Sequence, residues 1–473
     1  MQISILDRGA RAVEGFLNTQ AIQSAIDEVA SAGGGAVIVP AGHYLTGMIQ
    51  LRSHVHLHLE AGAVVQASPR VEDHPKRTFK GNMDWDAGLS AESRFHLLVA
   101  DGCDDIAITG TGVLDGNGPA WCLPPVPGSP WARGKPDQQR IGTLVEIHDC
   151  RDVRIRDVTL RNTGFWTLHL HESDRVWVRG VRIWNPWDAP NADGIDITGC
   201  RDVLVSDCHI DTADDGICIK TFENGRSAEN IAVNNCIVRT HCAALKLGCV
   251  ESFQDMRNIS FSNCLVRESH RLIGLYSFQG GEFENIRFSN IVGDTRAPLM
   301  FTRPIHMDLR KWPQARKLGA IRGVRVEGVQ ATTAGRCVLT ALPGAMLEDI
   351  SLSDVLLRYP LIEDPQPCAA EFGGSQFSND TPWARLERGA VVAENVRGLR
   401  LRNIDLRWPA GPPPADWIFE DKAANNTLRM FKKSDFLRDK PFPFHAVALR
   451  NVIESQISTD GLNGYAGGET LHR

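Results

Sequence analysis

Short apolar pairs recur along this chain at a nearly constant interval. Leu168/Leu170, Ile195/Ile197, Ile217/Ile219, Leu245/Leu247 and Ile273/Leu275 each supply two alternating apolar positions, and the steps between them are 27, 22, 28 and 28 residues. Alternation marks a strand with one buried face. A period in the twenties, kept over many turns, marks a solenoid in which each coil buries its apolar side only against its neighbours. The expected fold class is therefore all-β: a right-handed parallel β-helix over about residues 35–455, read as a single domain across 1–473.

A second repeat supports the first. An acidic or Asn residue followed by a β-branched alternation returns in Cys103–Ile108, Cys150–Ile155, Cys200–Val205, Glu229–Val233 and Arg257–Phe261, with further instances near Glu284, Arg322, Glu348 and Arg397. At 473 residues a globular chain would split into two or three domains, but a stack grows in one dimension and escapes that limit. Ahead of the repeat, Ala21, Ile22, Ala25, Ile26 and Val29 have helical spacing, with Asn18 or Thr19 as N-cap and Gly33-Gly34-Gly35 as stop. This predicts a helix over 18–32 that caps the first coil and covers its unpaired edge. Stretches 119–142, 360–388 and 409–444 break the repeat and read as loop insertions.

Composition excludes several partners. Hydrophobic residues at 42% and charged residues at 23% suit a folded chain, and the formal net charge of −6 argues against nucleic acid or an anionic membrane surface as partner. No apolar run approaches the roughly 20 residues of a membrane span. The opening Met-Gln-Ile-Ser-Ile-Leu-Asp lacks the layout of a secretory signal, so the chain as given reads as cytoplasmic, or as secreted or periplasmic with its signal already removed. Of 12 cysteines, Cys208, Cys236 and Cys264 fall in solenoid phase and read as an inward ladder of free thiols. His54, His56 and His58 on one strand span about 13 Å, too far for one ion, and read as a solvent-facing row. No cofactor and no metal are expected; the oligomeric state is open.

Stacking puts residues of equal phase into columns. One column holds Trp166, Asp193, Asp215, Ala243 and Arg271, a second holds His169, Asp196, Cys218, Lys246 and Gly274, and Asp214 lies beside the first. Coils about 4.8 Å apart bring Asp193, Asp214 and Asp215 within about 5–10 Å of each other, a separation at which paired carboxylates cleave glycosidic bonds. Three such carboxylates cannot all ionise comfortably, so one is expected to stay protonated beside ionised neighbours.

The phrases Phe165-Trp166-Thr167-Leu168-His169, Pro190-Asn191-Ala192-Asp193-Gly194-Ile195-Asp196 and Asp214-Asp215-Gly216-Ile217-Cys218-Ile219-Lys220, with Gly112 to Trp121 before them, resemble glycoside hydrolase family 28. That family comprises polygalacturonase- and rhamnogalacturonase-like right-handed parallel β-helices. The resemblance implies an inverting hydrolase acting on a poly- or oligosaccharide, with Asp214 as general acid and with Asp193 and Asp215 holding and deprotonating the attacking water. Asn191, Asp196 and Lys220 of the same phrases join the substrate-facing set. Trp166 is a candidate sugar-stacking platform, and His169 a candidate partner for a sugar hydroxyl.

The chain also departs from that family. The family's Gly-His-Gly falls on Ala243 and Ala244, leaving His241 and His270 as substitutes; its Arg-Ile-Lys, which grips a galacturonate carboxylate, falls on Gly274-Leu275-Tyr276. Arg271 and Lys246 stand near the same face. A neutral or differently decorated sugar beside Asp214 is therefore expected over unsubstituted homogalacturonan. Two other readings share the fold. A lyase would use the Asp cluster to hold Ca²⁺ and an Arg such as Arg271 as base. A non-catalytic carbohydrate-binding β-helix would show an aromatic groove without a carboxylate cluster.

Overall fold

The computed structural model describes residues 1–75, 77, 95–124, 133–134, 141–295, 303–313, 315–333, 335–359, 381, 383–384, 387, 389–410 and 444–473. The fold is a right-handed parallel β-helix: strand follows strand in parallel ladders, with antiparallel pairing among the described residues at Cys122–Leu123 with Arg133–Gly134 and at the isolated bridge Phe444 with Tyr465. The packing separates two compact units, the first ending at Ile237 and the second running from Val238 to Arg473.

In the first unit, backbone geometry explains the recurring Asp/Asn phrase. Asp105, Asp152, Asp202 and Asn230 all adopt left-handed backbone, with φ of 51, 55, 56 and 58°. Asp and Asn tolerate that corner because their short polar side chains hydrogen-bond locally. The β-branched residues that follow then stack in register, Val153 on Val176 on Val203 on Ile231 and Ile155 on Val178 on Val205 on Val233. All of them are buried, and each burial contributes about 1.5–3 kcal/mol. A second left-handed corner recurs at Asp157, Asp207 and Asn235. The corner side chains form rungs: Asn230 Nδ2 donates to Asp202 Oδ1 at 3.0 Å and Asn235 Nδ2 to Asp207 Oδ1 at 2.6 Å.

The N-terminal helix runs Thr19–Ser31 and buries Ala21, Ile22, Ala25, Ile26 and Val29. Its cap differs from the expectation. Asn18 holds the N-cap position without a side-chain capping bond; its Oδ1 accepts from Arg11 N at 2.7 Å and its Nδ2 donates to Phe16 O at 2.9 Å, tying down the preceding loop. Thr19 Oγ1 instead accepts from Gly47 N at 2.7 Å, pinning the helix to the first coils. At the other end Gly34, at φ 110°, lets its N–H reach Val29 O at 2.9 Å and closes the last turn.

The second unit repeats the same logic. Leu245 stacks on Ile273 and Ile305, and Leu247 on Leu275 and Met307. Asn258 and Asn285 form one corner rung at 2.8 Å, Asn263 and Asn290 another at 3.1 Å. Phe261 and Phe288 lie in register with their rings stacked 5.0 Å apart and nearly parallel. The insertions expected at 119–142, 360–388 and 409–444 fall largely outside the described residues.

The minor sequence readings resolve as follows. All described cysteines are free, and Cys208, Cys236 and Cys264 are buried, each thiol donating to the carbonyl two residues before it. His54 and His56 flank Asp105 at 3.6 and 3.8 Å, and His58 faces Thr109. No described helix is long and apolar enough to cross a membrane.

Candidate active site

In the first unit three successive coils turn into their strands at the same level. Leu168 pairs with Ile195 and Ile195 with Ile217, and the residues just before them stack as well. Thr167 N donates to Asp193 O at 3.0 Å, Gly194 N to Asp215 O at 2.8 Å, and Asp214 N to Ala192 O at 3.1 Å. Asp193 therefore sits directly against the Asp214-Asp215 coil. Gly194 is required there by space, because a Cβ would lie 2.4 Å from Gly216 O. Asn185 braces the corner, its Nδ2 donating to Thr167 Oγ1 at 2.8 Å and Thr212 Oγ1 at 2.9 Å.

The side chains divide by exposure. Asp193 and Asp215 are buried at 3% exposed, whereas Asp214 and Asn191 are partly exposed. Asn191 has left-handed backbone at φ 54°, which turns the chain into the Asp193 corner. Asp196, one column over, is fully buried. Between Asp193 and Asp196 stands Lys220, itself buried, with Nζ 3.0 Å from Asp193 Oδ2 and 2.7 Å from Asp196 Oδ1. The same Nζ lies 3.7 Å from the centre of the Trp166 ring.

Electrostatics follow from this enclosure. Burial pushes the Asp193 carboxyl well above the usual carboxylate range; Lys220 opposes the rise, while Asp196, Asp214 and Asp215 add to it. Burial also raises Asp196, again opposed by Lys220. The ammonium is what permits two buried carboxylates to share one small volume. An ammonium wedged between Asp193 and Asp196 also fills the position a Ca²⁺ ion would need between them, which disfavours the lyase chemistry weighed above.

Two residues stand elsewhere than an open sugar site would require. Trp166 is buried beneath Lys220 and stacked on Phe165 at 5.3 Å, in a cluster with Phe222. His169 has both ring nitrogens engaged, Nδ1 with Glu146 Oε2 at 3.0 Å and Nε2 with Thr198 Oγ1 at 2.9 Å.

The remaining expected residues belong to the second unit. Ala243 pairs with Arg271, Lys246 with Gly274 and Gly248 with Tyr276, as the period required. His241, Lys246, His270, Arg271 and Tyr276 are all buried. Burial drives His270 well below the ordinary histidine value and His241 down to about 3, so both imidazoles are neutral at physiological pH. Burial likewise raises the Tyr276 hydroxyl, which meets His306 Nδ1 at 3.1 Å.

Four polar residues escaped the sequence reading: Glu146 and Thr198 in the first unit, and Arg303 and His306 in the second. Arg303 pairs with Arg271 and His306 with Gly274. Extending the apolar register one further step, from Ile273/Leu275 to Ile305/Met307, exposes that pair. Extending it backwards, from Leu168 to Val145, exposes Glu146 opposite His169.

Fold and corner together define a class, the parallel β-helix proteins with a carboxylate site at the ends of their strands. The chain belongs to Glycosyl hydrolases family 28, whose profile its residues 55–368 match. Among relatives, a probable polygalacturonase of Vitis vinifera is 32% identical over 227 residues, 46% of this chain and 44% of that protein. An exo-poly-alpha-D-galacturonosidase of Dickeya chrysanthemi is 28% identical over 253 residues, 46% of this chain and 41% of that protein. The chain thus matches less than half the length of these relatives. Among solved structures, a hyperthermoactive exopolygalacturonase from Thermotoga maritima superposes with a TM-score of 0.66 at 24% identity, covering 86% of this chain and 92% of that one. The family 28 exopolygalacturonase of Yersinia enterocolitica gives 0.68 at 20%, covering 87% and 76%. At these identities the likeness is one of fold.

Proposed function

We propose that the chain is an inverting glycoside hydrolase that cleaves a pectin-like or related poly- or oligosaccharide. The observation that carries this reading is the corner in which partly exposed Asp214, with buried Asp215 next to it on the same coil, stands against buried Asp193 on the adjoining coil. Asp214, open to solvent, donates a proton to the departing glycosidic oxygen. Asp193 and Asp215 hold a water on the other side of the sugar and take its proton as it attacks. Inversion needs room for that water, about 6.5–9.5 Å between the acid and base carboxyl groups.

Asp193 must be ionised to act as a base, and burial opposes this. Lys220, 3.0 Å away, supplies the countercharge. It acts in this reading by holding Asp193 and Asp196, as a positioning residue rather than a substrate ligand. The sugar beside Asp214 is assigned as neutral or differently decorated, because the sequence has Gly274 and Tyr276 where the family's Arg-Ile-Lys carries its two charges. An unpaired carboxylate buried there costs several kcal/mol.

The test is incubation of the purified chain with pectic, neutral and bacterial polysaccharides, with NMR of the first-formed anomer. Net inversion at the cleaved carbon, lost in Asp214→Asn, is the expected result. Products bearing an unsaturated sugar, or no cleavage of any glycan, would overturn the proposal.

A further inference from the structure

One coil before the carboxylate corner, the outer face of the sheet carries a polar cluster that the proposed reaction does not use. Glu146 lies opposite His169 in the strand register and His148 opposite His171. Glu146, His169 and His171 are 2, 4 and 1% exposed, and one ligand atom from each lies within 4.8 Å of the other two. We infer that Glu146, His169 and His171 bind one divalent transition-metal ion of the zinc or cobalt class, as a structural site that ties two coils together.

The geometry is that of a carboxylate facing two imidazoles. Glu146 Oε2 lies 3.0 Å from His169 Nδ1, and Glu146 Oε1 lies 3.4 Å from His171 Nδ1. Metal–ligand bonds of about 2.0–2.2 Å place neighbouring ligands of a tetrahedral or octahedral ion about 3–3.5 Å apart. Without an ion the cluster is incompletely satisfied: the buried Oε1 has only the 3.4 Å approach of His171 Nδ1 and accepts no well-aligned hydrogen bond. An ion between the three residues gives Oε1 a partner and compensates a carboxylate held out of water.

Ligation needs neutral imidazole and ionised carboxylate. Behind the site, His169 Nε2 meets Thr198 Oγ1 at 2.9 Å, the outer hydrogen bond that orients a metal-bound imidazole. A second group, Glu387, His445 and His472, is less suited. His445 Nδ1 accepts the Glu469 N–H, so the neutral ring carries its proton on Nε2, the atom that faces Glu387.

Because the cluster is buried, the ion enters on folding. The full-length untagged chain is unfolded with a chelator, then refolded with Zn²⁺ or with Co²⁺ and desalted. Metal content is read by mass spectrometry, and cobalt by its visible absorption. About one equivalent is expected in the wild type and in His472→Ala, and less than a tenth of that in Glu146→Gln and His171→Gln. Thr198→Val, which removes only the outer hydrogen bond, is expected to weaken binding about 10- to 100-fold. It carries the test if the ligand variants do not refold. A wild type that takes up no ion would overturn the inference. So would an ion kept in Glu146→Gln but lost in His472→Ala, or a Thr198→Val protein of unchanged affinity.

Discussion

Replacing Lys220 by Met keeps the length and apolar stem of the side chain and removes only the ammonium. That charge lies 3.0 Å from Asp193 and 2.7 Å from Asp196, both buried, so its loss leaves two carboxylates in one dry volume with their countercharge gone. Breaking a buried ion pair from one side costs about 3–5 kcal/mol, well above the 0–1 kcal/mol of an exposed pair. The cost depends on pH in a definite direction. Both carboxyls are already raised by burial, and Lys220 is the main opposing influence, so its removal raises them further. At neutral pH the variant either keeps two uncompensated charges or binds protons that the unfolded chain does not. As pH falls through the raised values the carboxyls become neutral and the penalty shrinks. Chemical denaturation of wild type and Lys220→Met at several pH values therefore gives a stability gap that is widest at neutral pH and narrows towards acid. The acid limb of kcat/KM moves to higher pH in the same variant, because the base Asp193 must lose a more tightly held proton. Asp196→Asn added to Lys220→Met restores part of the stability by removing one of the two charges. Equal stability at pH 7, within about 0.5 kcal/mol, together with an unmoved acid limb would refute the reasoning.

Other outcomes follow from the same geometry. Asp214→Asn lowers kcat by at least the 10²- to 10⁴-fold typical of general acid–base catalysis while circular dichroism and denaturation midpoint stay at wild type, since Asp214 is partly exposed and is not among the buried carboxylates; a variant that keeps wild-type kcat removes Asp214 from the acid role. Gly194→Ala forces a methyl to within 2.4 Å of Gly216 O and so displaces the Asp193 corner; activity is expected to fall with a loss of stability of about 1–3 kcal/mol, and wild-type values of both would show the coil has slack there. Polygalacturonate is expected to be hydrolysed more slowly than a neutral or decorated glycan; if it is the fastest substrate, and Asp214→Asn abolishes that activity, the reading of Gly274 and Tyr276 fails while the acid assignment survives.

The linear order of residues was enough for the stack. Side chains on a strand alternate with period two and coils repeat in the twenties, so the pairing of Leu168 with Ile195 and Ile217, and of Leu245 with Ile273, can be counted off along the chain. The same counting brought Asp193 against the Asp214-Asp215 coil, because residues of equal phase in a stack are neighbours whatever their distance along the chain. Counting could not decide what each side chain meets across the sheet. Lys220 is long enough to leave its own column, beside Thr198, and reach Asp193 and Asp196 in two others. Trp166, by sequence a candidate open platform, is packed between Lys220 above it and Phe165 beside it. His169 likewise became the partner of Glu146 and Thr198. Columns follow from backbone periodicity, a local property of the chain; contacts between columns depend on side-chain reach, burial and charge, and only the assembled fold brings those together.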